Sequence, residues 1–145
     1  MADPRQIVEK YLKAMPADLE TLTSLQHPDF VEEFPQSGER IRGSANFAAI
    51  QENYKETRGG VKDVIGTEDR WILGGPTLTP IRVFGSGDTF TALLWGDYPD
   101  DSTYHIITIV ELRDEKIYRS TTFFAAPFEA PEWRAKWVER IPDHP

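Results

Sequence analysis

The spacing of apolar positions changes once along this chain, near residue 60. Before that point it is helical. Asp3-Pro4-Arg5-Gln6 predicts a helix start, with Asp3 as cap, Pro4 at the first helical position and Gln6 placed to close a capping box. Ile7, Val8, Tyr11, Leu12 and Met15 then recur at three- and four-residue intervals, the apolar face of one helix. Pro16 ends it, and Asp18 caps a shorter helix carrying Leu19, Leu22 and Leu25. His27-Pro28-Asp29 reads as a turn, residues 30–34 as a short extended piece, and Pro35-Gln36-Ser37-Gly38 as its close. Gly43-Ser44 opens a third helix with Phe47, Ile50 and Tyr54 on one face, stopped by Gly59-Gly60.

Beyond residue 60 the period moves toward two. Strands are predicted at 62–73, 81–84, 89–98, 104–112 and 116–125, separated by glycine, proline and aspartate turns. A last short helix begins at Pro131-Glu132 and sets Trp133 and Trp137 one turn apart. The hairpin T-Y-H-I-I-T-I-V-E-L, R-D-E-K, I-Y-R-S-T-T-F-F stands out. Ile106 and Val110 point one way from its first arm, Ile107 and Ile109 the other, so both faces of the sheet should be covered. Helices account for one face, and a second copy of the chain is expected over the outer one. The order of elements predicts a single α+β domain over residues 1–145. Its sheet is antiparallel or mixed, with helices packed on the concave side and a pocket left between them.

Composition narrows the class without naming a function. The 145 residues are 39% hydrophobic and 12% aromatic, which suits one globular domain. With no cysteine there is no thiolate nucleophile and no disulfide framework. A net charge of -8 without a basic stripe argues against nucleic-acid binding. No apolar run is long enough to span a bilayer, and a cytoplasmic location is the default expectation. His27, His105 and His144 are scattered, so no metal site and no cofactor are expected.

Two stretches together carry a resemblance. H-P-D-F-V-E-E-F-P-Q-S-G-E-R-I-R-G (27–43) and V-E-L-R-D-E-K-I-Y-R-S-T-T-F-F (110–124) resemble the SnoaL-like branch of the nuclear transport factor two-like superfamily, closest to its uncharacterised members. The resemblance implies a cone-shaped domain, barrel-like, with a curved sheet wrapped around N-terminal helices, an internal pocket and homodimers through the outer sheet face. It also implies chemistry that this chain lacks. The ketosteroid isomerase tyrosine matches Tyr11, but the base falls on Phe34 and the acidic donor on Thr108. The cyclase histidine and aspartate fall on Thr108 and Thr122, whose hydroxyls do not titrate near neutral pH.

The remaining candidate base is Glu32. Two residues before Phe34, it shares that side chain's face, and a carboxylate in an apolar pocket has a raised pKa. The alternative is a solvated strand-edge residue, or one paired with Arg40 or Arg42. Tyr104, Ile106, Thr108, Val110, Ser120, Thr122 and Phe124 should line one pocket wall. Phe34, Leu94, Ile50, Tyr54 and Tyr11 are its expected partners. This apolar set with a few hydroxyls suits a small, flat, hydrophobic polyketide- or steroid-like molecule. The expectation is therefore an isomerase-, cyclase- or dehydratase-type enzyme using Glu32 and Tyr11. A non-catalytic ligand-binding domain or a dimerisation module is the alternative.

Overall fold

A computed structural model describes residues 2–15, 18–53, 61–66, 70–74, 79–97 and 103–141, with side chains described outside 61–82, 84, 86, 95–97 and 103. Helix α1 (Pro4–Ala14) starts where the sequence places it, with Asp3 accepting a hydrogen bond from the Arg5 amide at 3.0 Å. Helix α2 (Leu19–Leu25) is capped by Asp18, which accepts from the Thr21 amide at 3.1 Å. That hydrogen bond holds the Asp18 carboxyl below its usual pKa. Strand β1 (Gln26–Phe34) follows at once, and β2 (Glu39–Arg42) returns antiparallel to it before helix α3 (Ser44–Asn53). The remaining strands are β3 (Val61–Gly66), β4 (Arg70–Gly74), β5 (Thr79–Ser86), β6 (Thr89–Asp97), β7 (Thr103–Arg113) and β8 (Lys116–Ala125). A 3-10 turn, Glu132–Trp137, lies beyond them.

Among the described residues, eight strands form one sheet in the order β2-β1-β8-β7-β6-β5-β4-β3. The neighbours are antiparallel except β1 and β8, which run parallel. Strand β1 therefore lies beside the C-terminal hairpin, although 81 residues separate its end from the start of β8 in the numbering (116 minus 34, less one). The β7–β8 turn places Asp114 and Glu115 at φ of 53° and 60°, the left-handed pair that a two-residue hairpin loop requires.

Four expectations are corrected. His27-Pro28-Asp29 is part of β1, where the register against β8 shifts between Gln26 and Val31; the bulge absorbs the proline. Residues 62–73 are not one strand but the β3–β4 hairpin. Residues 39–42, with only Ile41 buried, add a strand too short to show alternation. The C-terminal helix is a 3-10 turn whose tryptophans are exposed and fill no core of this chain. Tyr54 lies outside the described residues.

Helix α1 lies across the sheet through Ile7, Val8, Tyr11 and Leu12, all buried with Leu22, Phe30, Phe47, Val83, Phe90, Val110 and Ile117. Phe30 and Phe47 meet edge to face at 5.7 Å. Arg5 fastens the helix to β5 by donating to the Val83 and Gly85 carbonyls at 3.2 and 3.1 Å. Gly85 has φ +115°, and a Cβ there would sit 2.5 Å from the Thr89 carbonyl oxygen. Among the described residues no helix is long and apolar enough to cross a membrane.

Two substitutions check this frame. Phe30→Ala removes a fully buried ring and should lower unfolding free energy by about 3–5 kcal/mol. Gly85→Ala should cost about 1–3 kcal/mol through backbone strain. Urea unfolding followed by circular dichroism reads both, and a loss within error at either position contradicts the packing described.

Candidate functional site

Strand register arranges the concave face in rows. Glu32, Ser120, Val110 and Phe90 are successive cross-strand partners from β1 through β8 and β7 to β6. The next row is Thr122, Thr108, Ala92 and Val83. The third is Phe124, Ile106 and Leu94. The first two rows are buried throughout, whereas Leu94 and Ile106 are half-buried and Phe124 is exposed. Phe34 tilts against Phe124 at 5.7 Å, and Tyr104 continues the wall. Burial thus falls off just past the Thr108–Thr122 row.

At that boundary sits a connected set of polar side chains. Thr122 donates from Oγ1 to Oε1 of Glu32 at 3.2 Å. Thr108 and Thr122 share a hydrogen bond at 3.0 Å. Because a hydroxyl has one proton, Thr108 must donate to Thr122 whenever Thr122 donates to Glu32. Gln26 donates from Nε2 to the Tyr11 hydroxyl at 2.9 Å, leaving Tyr11 with its own proton. Among the described residues, the Oε1 atom of Gln26 is buried without a hydrogen-bond partner, whereas the Ser120 hydroxyl faces the Glu32 carboxyl. The Gln26 oxygen can accept from an ordered water.

Burial controls the electrostatics. Glu32 is only 5% exposed. Loss of hydration pushes its carboxyl up to about 7, and hydrogen bonds from Thr122 and Ser120 only moderate that rise. Tyr11 is also raised, first by burial and then by the negative charge of Glu32, against the opposing hydrogen bond from Gln26. A carboxyl near neutrality beside a protonated phenol can take up and release a proton at physiological pH.

The neighbouring Glu33 shows what Glu32 avoids. It points to the other face, where Arg40 donates to it from Nη2 at 2.7 Å and holds its carboxyl below the ordinary range. The ion pair considered for Glu32 is thus made by Glu33.

Of the predicted site residues, Tyr11, Glu32, Thr108, Ser120 and Thr122 come together. Phe34, Leu94, Tyr104 and Ile106 lie half-buried beyond them, and Phe124 is exposed. Val110 is fully buried below the polar row and belongs to the core rather than an open wall. Ile50 is 46% exposed; of α3 only Phe47 is buried. Gln26 was missed because the Pro28 turn reading hid the strand that carries it. His27 is structural: Nδ1 accepts from the Asp29 amide at 2.9 Å, and the ring meets Tyr118 edge to face at 5.5 Å. Among the described residues no three His, Asp or Glu side chains converge as metal ligands would.

A raised carboxyl pKa has a defined sign in stability. The Glu32 contribution is fully present below the unfolded value of 4.5 and is lost as pH rises through about 7. Wild-type unfolding free energy should therefore fall by about 3 kcal/mol across this window relative to Glu32→Gln. Urea titrations at several pH values check this; parallel profiles would contradict the buried carboxylate.

No protein-family model matches the sequence, and neither does any curated protein. Solved structures do. An NTF2-like protein of unknown function from Burkholderia xenovorans LB400 is 25% identical, with a TM-score of 0.67, covering 96% of this chain and 95% of that one. A candidate ketosteroid isomerase from Kribbella flavida DSM 17836 is 23% identical at a TM-score of 0.66, covering 97% and 90%. A protein with a ketosteroid isomerase-like fold from Catenulispora acidiphila DSM 44928, solved with trimethylamine, is 17% identical at 0.56, covering 83% and 85%. The buried helices, the curved mixed sheet and these neighbours agree: the chain has the fold of the nuclear transport factor two-like, ketosteroid isomerase-like superfamily.

Proposed function

We propose that the chain binds a small, flat, hydrophobic carbonyl compound at the mouth of the cone and moves a proton on it with Glu32. The supporting observation is the Glu32 carboxyl, 5% exposed and pushed up to about 7 beside a phenol that still holds its proton. In this reading Glu32 removes a proton from the carbon next to the carbonyl. The C–H electron pair becomes the enolate, whose oxygen accepts a hydrogen bond from Tyr11, and Glu32 returns the proton to another carbon. The mouth residues Phe34, Leu94, Ile106 and Phe124 supply apolar contact. The polyketide- or steroid-like substrate class, an isomerase-, cyclase- or dehydratase-type reaction and assignment to the SnoaL-like branch belong to this proposal. None uses the histidine and aspartate of known cyclases, because Thr108 and Thr122 replace them and here relay a hydrogen bond to Glu32.

A second reading is a ligand-binding domain without catalysis. It is favoured by the hydrogen bond Glu32 already receives from Thr122 within the chain. Trimethylamine bound to a protein of the same fold supports small-molecule binding of either kind.

The two are separated by deuterium exchange. Wild type should exchange the acidic C–H protons of 2-tetralone in heavy water faster than buffer, with a rising limb near pH 7 set by Glu32. Glu32→Gln should lose about 10²–10⁴-fold of that rate. Binding of 2-naphthol, followed by thermal shift, should persist in the variant. Exchange that is unchanged by Glu32→Gln refutes the catalytic role; binding without exchange in wild type favours the second reading.

A further inference from the structure

Two buried hydrogen bonds share one oxygen atom. Thr122 Oγ1 lies 3.2 Å from Glu32 Oε1 and 3.0 Å from Thr108 Oγ1. Threonine pairs across antiparallel strands are common and usually do no more than hold register. This pair differs in what stands at its end and in what surrounds it. The end is a carboxyl group that takes up a proton near pH 7. Thr108, Thr122 and Glu32 are 6%, 5% and 5% exposed, so bulk water has little access to the chain they form. A change in proton count at Glu32 is therefore met inside that chain.

Counting hydrogens defines two states. An ionised carboxylate only accepts, so Thr122 donates to Glu32 and Thr108 donates to Thr122. A neutral carboxyl carries an O–H of its own. Directed along the same contact, that O–H is accepted by Thr122, whose own hydrogen then turns to Thr108. The Thr108 hydrogen is released from the chain. No heavy atom has to move, because both side chains are β-branched and stiff at χ1, and only hydroxyl hydrogens rotate. The neighbouring side chains cannot accept the released hydrogen. Ala92 and Val83 continue the cross-strand row, and Ile106 and Leu94 form the half-buried row beyond it. The charged surroundings leave this choice to Glu32. Tyr11 of α1 is a titratable group that feels the Glu32 charge, β8 adds the neutral Ser120 hydroxyl, and Arg40, Arg119 and Arg42 act on Glu33 across the sheet.

We propose that Glu32, Thr122 and Thr108 form a charge-coupled switch whose far end, Thr108, is a specificity-determining residue. With Glu32 ionised, Thr108 offers lone pairs to a bound molecule; with Glu32 neutral, it offers an O–H. A small apolar ligand lodged there is selected by its one polar group. A hydroxyl suits the ionised state and a carbonyl suits the neutral one. The selection rests on the binding role proposed for this site. The reversal does not, since it is a property of the protein without ligand.

The reversal is read in ligand-free protein by nuclear magnetic resonance. The Thr108 methyl signal and the Glu32 carboxyl carbon should titrate together, with one midpoint near pH 7. Thr122→Val keeps the shape of threonine and leaves Glu32 able to ionise, but cuts the chain. The Glu32 midpoint should then rise by about 0.5–1 pH unit, and the Thr108 response should disappear. Thr122→Ser should restore both. A Thr108 signal that does not titrate in wild type overturns the switch. So does a Thr108 response that survives Thr122→Val, because it then reports the charge through space. Selection is read by the affinities of 2-tetralone, which only accepts hydrogen bonds, and 2-naphthol, which also donates. Between about one pH unit above and one below the Glu32 midpoint, the affinity ratio should move roughly 2–10-fold toward 2-tetralone. Thr108→Ser should keep that dependence and Thr108→Val should abolish it. A ratio independent of pH in wild type, or equally dependent in Thr108→Val, overturns Thr108 as the selecting group. Neither readout involves exchange at carbon, so failure of the switch and failure of the catalytic role of Glu32 are told apart.

Discussion

The structure turns on one carboxyl group buried where a packed core gives way to half-buried side chains. Water would hold Glu32 ionised at ordinary pKa; the cone removes that water and replaces it with hydroxyls. Two threonines and a serine stabilise the charge too weakly to offset the lost hydration, so the group rests near neutrality. The rest of its own cross-strand row, Ser120, Val110 and Phe90, is fully packed beside it. Packing and chemistry are therefore set by the same layer of side chains.

That layer exists because β1 pairs in parallel with β8. The pairing brings Glu32 opposite Ser120 and its carboxyl within reach of Thr122, two strands that the chain order leaves far apart. The bulge between Gln26 and Val31 lets one strand serve two registers. Its first part delivers Gln26 to Tyr11 on α1, and its second part delivers Glu32 to the hairpin. A one-residue slip on either side would exchange Glu32 for Glu33, placing an arginine-paired carboxylate in the core. Arg40 and Arg119 on the outer face oppose that slip by engaging Glu33.

Much of the frame was legible in local pattern. The caps at Asp3 and Asp18, the helical stripe through Tyr11 and the hairpin turn at Asp114-Glu115 are short-range events, and the chain forms them where they are expected. Glu32 was legible as a candidate through period-two parity with Phe34. Strand β2 and the split between β3 and β4 were not, because four or five residues carry too little periodicity. The prolines told only half their story: Pro16 follows α1, but Pro28 sits inside a strand whose bulge removes the need for its missing donor.

The sequence by itself determined the order of elements, the two-sided apolar character of β7 and the absence of the known cyclase and isomerase pairs, since each depends on residue type at short spacing. Tertiary structure alone decided that the Glu32 carboxyl loses its hydration and accepts a hydrogen bond from Thr122, that Arg40 engages Glu33, and that Val110 is sealed in the core while Phe124 stays exposed. Those outcomes depend on register between distant strands and on the hydration lost at one place in the fold, quantities that no local pattern contains.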